Sequence, residues 1–330
     1  MAAAAAGKTR VLTERARKLL RDGINPADIA VITFTNLAAQ ELKERLADDY
    51  KEGMYIGTIH GLANKFLVTH GIKTGKLIEA EEFDGFFELL QQNPHCVKHI
   101  PHILLDEAQD SSWGEYNFIF NMIKPETFFV AADPRQSIYG FRDAKPELIK
   151  KLAQRPDVTV YDLNENYRNG ANILGYAKRI LEKIGMEDSS VPMRAGGTVY
   201  EGTPDVENLV QWIKNNGNFG DWAILCSTNR EIEWLMDKLK DDYEVPTITF
   251  KQGKMTKKQL ETAMKDNVVK VLTRHSAKGL EFPYVAVYNP TWWGGDEAKR
   301  VNYVAATRAR DVLMWLEPKK APKPKYKKYF

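Results

Sequence analysis

Short apolar runs alternate along this chain with stretches of helical spacing, the order that builds an α/β fold. Ile29 to Phe34, Ile103 to Leu105, Phe128 to Ala132, Val158 to Leu163, Trp222 to Cys226, Val268 to Leu272 and Tyr284 to Tyr288 predict strands, with Tyr55 to Ile59 a shorter one. A continuous apolar run suits a parallel strand buried on both faces, and this is the reading of Ile103 to Leu105 and of Phe128 to Ala132. Val11 to Asp22, Leu37 to Leu46 and Glu231 to Asp241 read as helices, and Leu62 to His102 as several helices with a loop at Asn93-Pro94. Asn25-Pro26 turns the chain into its first strand, and Asp133-Pro134 ends the Phe128 run. Internal repeats are absent, and low complexity is confined to the two ends.

With 330 residues and 43% hydrophobic content, the chain is expected to form two globular domains with substantial cores. A boundary near Arg155-Pro156-Asp157 makes residues 1–156 the first and 157–318 the second, with a helical insertion at about 62–102 in the first. No apolar stretch is long enough to span a membrane, so no membrane partner is expected. The alanine run after Met1 lacks the charged start and long apolar region of a signal peptide, which points to a cytoplasmic protein. Cys96 and Cys226 are too few for a disulfide framework or a zinc site.

Net charge is +3, from 47 basic and 44 acidic residues, yet residues 319–330 hold six lysines and no acid. The rest of the chain is therefore close to neutral, and nucleic-acid binding would need local patches rather than a global field. The tail itself reads as a disordered, lysine-rich end, which either tethers phosphates or solubilises.

Two places carry chemistry. ILLDEAQD sets Asp106 and Glu107 at the end of a buried strand, where an ATPase needs one carboxylate for magnesium and one to polarise water. The same pair could instead start a helix, Asp106 as cap and Glu107 complementing the dipole. Gly7-Lys8-Thr9, directly before a helical pattern, has the glycine, lysine and hydroxyl of a phosphate loop. The earlier glycines of such a loop fall on Ala2 and Ala5, and no launching strand is visible before it.

The segments AGKTRVLTERARKLL, VITFTNLAAQELKERL, IGTIHGLANKFL, ILLDEAQD, VAADPRQSIYGFRDA, LNENYRN, VLTRHSAKGLEFPYV and VNYVAATRARDVL together resemble the ordered motifs of superfamily 1 DNA helicases of the UvrD, Rep and PcrA type. That resemblance implies two RecA-like domains with mainly parallel sheets, ATP and Mg²⁺ in the cleft between them, and single-stranded DNA across the top. It assigns Gly7, Lys8, Thr9 and Asp106 to the phosphates and metal, Glu107 to the attacking water, and Gln136 to sensing the γ-phosphate and relaying its state through Ser137 to Arg142. Arg168 and Arg308 match its arginine fingers; Arg10 and Tyr167 flank adenine, and Gly279 and Glu281 complete the nucleotide contacts, with Glu281 at the ribose. Tyr139 and Phe141 match aromatics that stack on bases in the family, and Phe34, Asn36, Thr58, His60 and His275 match further DNA-facing positions that hold phosphates and sugars.

Several of these residues also have a plainer reading. The arginines would otherwise form salt bridges, Tyr167 a core aromatic, the histidines structural contacts and Gln136 a polar turn. Trp292 and Trp293 have no role in the motifs and are expected to pack in a core or between domains. The implied activity is ATP-driven translocation along single-stranded DNA, 3′ to 5′, with single-strand/duplex junctions as a further class of substrate and protein partners unknown. The alternative is a non-catalytic DNA-binding or scaffold protein derived from such a motor. Larger relatives carry two accessory insertions that this chain nearly lacks, and Leu37 stands where many have lysine.

Overall fold

The computed structural model describes residues 6–140, 144–250 and 257–318. Ala2, Ala5, Phe141, Arg142 and the lysine-rich tail lie outside the described residues. The chain forms two units, one of Met1–Tyr167, Leu181–Met193 and Gly253–Leu260, the other of Arg168–Ile180, Arg194–Gln252 and Glu261–Phe330.

In the first unit β1 (Ile29–Thr33), β2 (Tyr55–Thr58), β3 (His102–Leu105) and β4 (Thr127–Val130) form a parallel sheet in the order β2-β1-β3-β4. Alternation sends Ile29, Val31, Ile56 and Leu104 to one face, against Leu12, Ala16 and Leu19 of α1 (Lys8–Arg21) and Leu42 of α2 (Asn36–Arg45). Ala30, Ile32, Ile103 and Leu105 face the other way, against α3 (Ile59–Thr69), the short α4 (Gly75–Glu79), α5 (Gly85–Gln92) and α6 (Trp113–Asn117). Of these, α3, α4 and α5 lie in the span predicted as a helical insertion, and α7 (Pro146–Ala153) follows β4. The starts of α2 and α3 are fixed by hydroxyl caps, Thr35 accepting the Ala38 N–H and Thr58 that of Gly61, both at 3.1 Å.

Two expectations need correction. Phe128 to Ala132 is not a fully buried strand: β4 is an edge strand of its sheet among the described residues, and Phe128, Phe129 and Val130 are only partly covered. Val158 to Leu163 is not a strand: Leu163 makes an isolated bridge, and Val160 and Tyr161 are exposed. The next strand, β5 (Glu165–Gly170), pairs instead with β6 (Val191–Arg194), and α8 (Ala171–Glu182) joins them.

The second unit is a six-stranded parallel sheet of β7 (Thr198–Gly202), β8 (Trp222–Cys226), β9 (Thr247–Ile248), β10 (Val269–Thr273), β11 (Phe282–Tyr288) and β12 (Ala309–Leu316), ordered β7-β12-β11-β8-β10-β9. β8 is buried along its whole length. Trp222, Ile224, Val269, Val271, Ala286 and Met314 pack on Leu209 and Ile213 of α9 (Val206–Asn215) and Leu235 and Leu239 of α10 (Asn229–Tyr243). α11 (Lys257–Lys265) leads into β10, and α12 (Gly295–Ala306) lies between β11 and β12. Among the described residues no helix is long and apolar enough to cross a membrane.

Candidate nucleotide and nucleic-acid site

The carboxyl edge of the first sheet gathers the predicted phosphate loop and acidic pair. Gly7 caps α1 in the left-handed region, φ 81°, a conformation that favours glycine, and Lys8 beside it is buried. No acid occupies the first turn of α1, so nothing from its own sequence neutralises the N–H groups there. Thr9 Oγ1 donates to Asp106 Oδ2 at 3.4 Å, joining residues 97 positions apart in sequence. Asp106 is held at the end of β3 by its own N–H, which still pairs with Ile32 of β1 at 2.8 Å.

Burial pushes the Asp106 carboxyl up to about 7, and the neighbouring charge of Glu107 adds to the shift; Lys8, the Glu107 N–H and Thr9 oppose it. A buried site with surplus negative charge and two hard oxygen donors in contact suits a divalent cation such as Mg²⁺. Among the described residues no group of three His, Cys, Asp or Glu side chains could hold a metal.

Glu107 sits at φ 51°, ψ 37°, left-handed and unfavourable for a residue with a Cβ. Neither acid side chain caps the short turn Ala108–Asp110; Asp106 Oδ1 accepts the N–H of Glu107 at 3.0 Å instead. The helix-start reading of this pair therefore lacks its defining bond. Gln109, fully buried, donates its amide to Glu107 and accepts the N–H of Asp133 at 2.9 Å. Asp133 Oδ2 in turn accepts the side-chain amide of Gln136 at 2.7 Å, and Ser137 Oγ donates to the Gln109 carbonyl at 3.1 Å. Gln109 and Asp133 were missed as functional candidates; the signal available was their place inside two quoted motifs.

At the same edge Phe34, which follows β1, stacks on Tyr139 with ring centroids 5.0 Å apart and 21° between planes. Asn36 is exposed at the first turn of α2. Thr58 is engaged as a helix cap, and His60 lies over Phe87 at 5.2 Å, 3.5 Å from Asp84 and 3.7 Å from Glu115. Tyr167 is 56% exposed, so it is no core aromatic; it donates to Glu165 and lies within electrostatic reach of Arg10.

The second unit keeps its predicted residues at two opposite ends of its sheet. Glu281 and Arg308 immediately precede the neighbouring strands β11 and β12, and Arg168 joins them there: its Nε donates to Glu281 at 2.6 Å and one terminal nitrogen reaches the Thr307 carbonyl at 3.5 Å. Arg308 is 1% exposed, with its guanidinium on the carbonyls of Val304 (2.9 Å) and Leu280 (3.2 Å) and on Thr307 Oγ1 (3.2 Å). Gly279, at φ 85°, closes the turn that leads to Glu281.

His275 lies at the other end, in the turn after β10. Its neighbour Arg274, which the sequence reading passed over, is buried and donates to Asn302 and to Ser227 Oγ (2.8 Å), linking the end of β8 to α12. Trp292 packs on Trp315 at 6.0 Å and donates to Glu317 at 2.8 Å, as packing predicted. Trp293 does not: it is 90% exposed, on a loop that Asn302 holds through the Thr291 carbonyl (3.1 Å).

Comparison with known proteins is consistent between the two halves. Residues 1–94 and 84–157 match the UvrD/REP helicase N-terminal domain, and residues 251–317 the UvrD-like helicase C-terminal domain. A probable DNA helicase of Mycoplasma pneumoniae is 23% identical, over 94% of this chain and 78% of its own. DNA helicase II of Escherichia coli is 24% identical over 72% of this chain and 47% of its own, and the ATP-dependent DNA helicase Rep of the same organism 25% over 70% and 50%. The chain thus spans about half the length of the two Escherichia coli proteins. A solved C-terminal domain of a possible DNA helicase from Lactobacillus is 21% identical, covering 46% of this chain and 87% of its own, with a TM-score of 0.35, too loose an overlap to specify shared structure.

Proposed function

The chain belongs to the UvrD/Rep-type superfamily 1 helicases, with both UvrD helicase domains inside 330 residues, and on that premise we propose that it is an ATP-driven single-stranded DNA translocase moving 3′ to 5′. The observation that carries this reading is the contact of Thr9 with Asp106, continued by the Glu107, Gln109, Asp133 and Gln136 chain. A phosphate loop, a metal carboxylate, a water-activating carboxylate and a γ-phosphate sensor are what phosphoryl transfer to water requires.

In this reading the first turn of α1 and Lys8 take the phosphates, while Thr9 and Asp106 hold Mg²⁺. The ion, when bound, neutralises charge on the β and γ oxygens. Glu107, aimed by its left-handed backbone and fixed by Gln109, polarises the attacking water. Gln136 senses the γ-phosphate through the same buried network. Arg168 and Arg308 are the cations assigned to the charge that spreads over the transferring phosphoryl oxygens. Arg10 and Tyr167 flank the base, with Gly279 and Glu281 at the sugar side.

The Phe34 and Tyr139 pair offers aromatic faces to bases without regard to sequence, which suits a motor that must pass along any strand. Asn36, Thr58, His60 and His275 then contact sugars and phosphates. Because the accessory insertions of larger relatives are small here, translocation is the primary activity and duplex separation secondary. The test is ATP hydrolysis by the wild-type chain and by Glu107→Gln, with and without single-stranded DNA. DNA-stimulated turnover lost in the variant supports the reading; turnover indifferent to DNA sinks it.

A further inference from the structure

We propose that Arg135 is a positioning residue that ties the Gln136 turn to the return segment Leu181–Met193 through Asp188, so that the nucleotide state sensed at Gln136 is felt on the strand pair carrying Tyr167 and Arg168. The proposal rests on the reading of Gln136 as the γ-phosphate sensor. Arg135 Nε donates to Asp133 Oδ1 at 2.7 Å and Nη1 to Asp188 Oδ1 at 2.6 Å. Both carboxylates are fully buried, and the Arg135 side chain is 12% exposed.

Three charges withdrawn from water are a costly way to hold two segments together, since apolar side chains of similar volume hold them as well. What an apolar contact lacks is direction. A planar guanidinium with two of its nitrogens engaged fixes the angle between Asp133 and Asp188 as well as their separation. Asp133 uses its other oxygen to accept the Gln136 amide, so a shift of that amide toward a phosphate changes the carboxylate on which Arg135 rests.

The line continues beyond Asp188. Its Oδ1 also accepts the Ser190 N–H at 3.0 Å, and the Val191 N–H donates to the Asn164 carbonyl at 2.6 Å. Val191 opens β6, which pairs with β5, the strand that contains Tyr167 and Arg168. From Gln136 to β5 the described residues are thus linked by hydrogen bonds and by the peptide bonds that join Ser190 to Val191 and Asn164 to Glu165. In the sequence the only trace is Asp-Pro-Arg-Gln before the aromatic motif and a lone Asp188 more than fifty positions later.

The test is hydrogen exchange of the full chain with and without ATPγS and magnesium, on wild type, Arg135→Gln and Asp188→Asn, the last nearly isosteric and a guard against misfolding. Wild type should slow exchange both at residues 7–13 and at 190–193. Either variant should keep the first and lose the second. DNA-stimulated kcat should fall roughly tenfold with KM for ATP nearly unchanged, and the double variant should fall no further than the singles, as members of one unit do. Protection at 190–193 that persists in Arg135→Gln, or losses that multiply in the double variant, overturns the relay and leaves the ATPase reading intact. No protection at residues 7–13 in wild type overturns both.

Discussion

Gln109 holds Glu107: the fully buried amide donates to the carboxylate that follows β3, while its carbonyl oxygen takes the N–H of Asp133 at 2.9 Å. The water-activating candidate is therefore oriented by a side chain two residues away whose other end is anchored beyond β4. Gln109→Ala should lower kcat for ATP hydrolysis by roughly tenfold to a hundredfold with little change in nucleotide binding, since only the orientation of Glu107 is lost. It should also cost about 1–3 kcal/mol of stability, because the Asp133 N–H stays buried without that acceptor. Steady-state kinetics beside a urea titration separates the two; unchanged kcat would remove Gln109 from the mechanism.

Asp106 predicts a pH dependence. Its folded carboxyl titrates near 7 against an ordinary 3.8, so the unfolded chain gives up its proton first. Between about pH 4 and 7, stability without metal falls as pH rises, by up to ~4 kcal/mol at the top of the window. Asp106→Asn should accordingly raise the thermal midpoint at pH 8, leave it nearly unchanged at pH 4, and abolish ATP hydrolysis at both. Equal stabilisation at the two pH values would mean that burial of the charge is not the cause.

The stacked rings predict a change in DNA affinity alone. Phe34→Ala or Tyr139→Ala should weaken single-stranded DNA binding by roughly tenfold or more, at about 1–3 kcal/mol per stacked base. Hydrolysis in the absence of DNA should hold. Fluorescence anisotropy with a labelled oligonucleotide reads the first and a coupled ATPase assay the second; full affinity in both variants would place the DNA elsewhere.

Much of this arrangement was legible before any coordinates. The apolar segments of β1, β3, β8, β10 and β11 announce strands, and the structure has them, with β8 buried along its whole length. Val158 to Leu163 carries apolar residues too, yet beyond a bridge at Leu163 it joins no strand, and pairing is not a local property. Exposure of β4 and of Trp293 was hidden for the same reason: apolar content says what can be buried, and only packing decides what is. Motif spacing marked Thr9 and Asp106 separately. Their contact, like that of Gln109 with Asp133, depends on the register that sets Leu105 opposite Val130 and Ile32 opposite Leu105.

Substitution should separate the buried Arg308 from the ion pair of Arg168 with Glu281. Arg308 is buried on three oxygen partners, so Arg308→Ala should cost more than ~2 kcal/mol of stability in addition to any loss of turnover. Arg168 pairs with Glu281, whose side chain is 52% exposed, and Glu281→Gln should cost under ~1 kcal/mol. Thermal melts of both variants decide this, and equal losses would mean that the burial of Arg308 contributes nothing.

The left-handed backbone at Glu107 sets selection for hardiness against selection for work. Glycine or asparagine at that position relieves backbone strain of about 1 kcal/mol and removes a crowded negative charge, yet neither can activate water. A library of this chain screened only for heat resistance would therefore enrich substitutions at position 107 and return sturdier proteins that no longer turn over ATP.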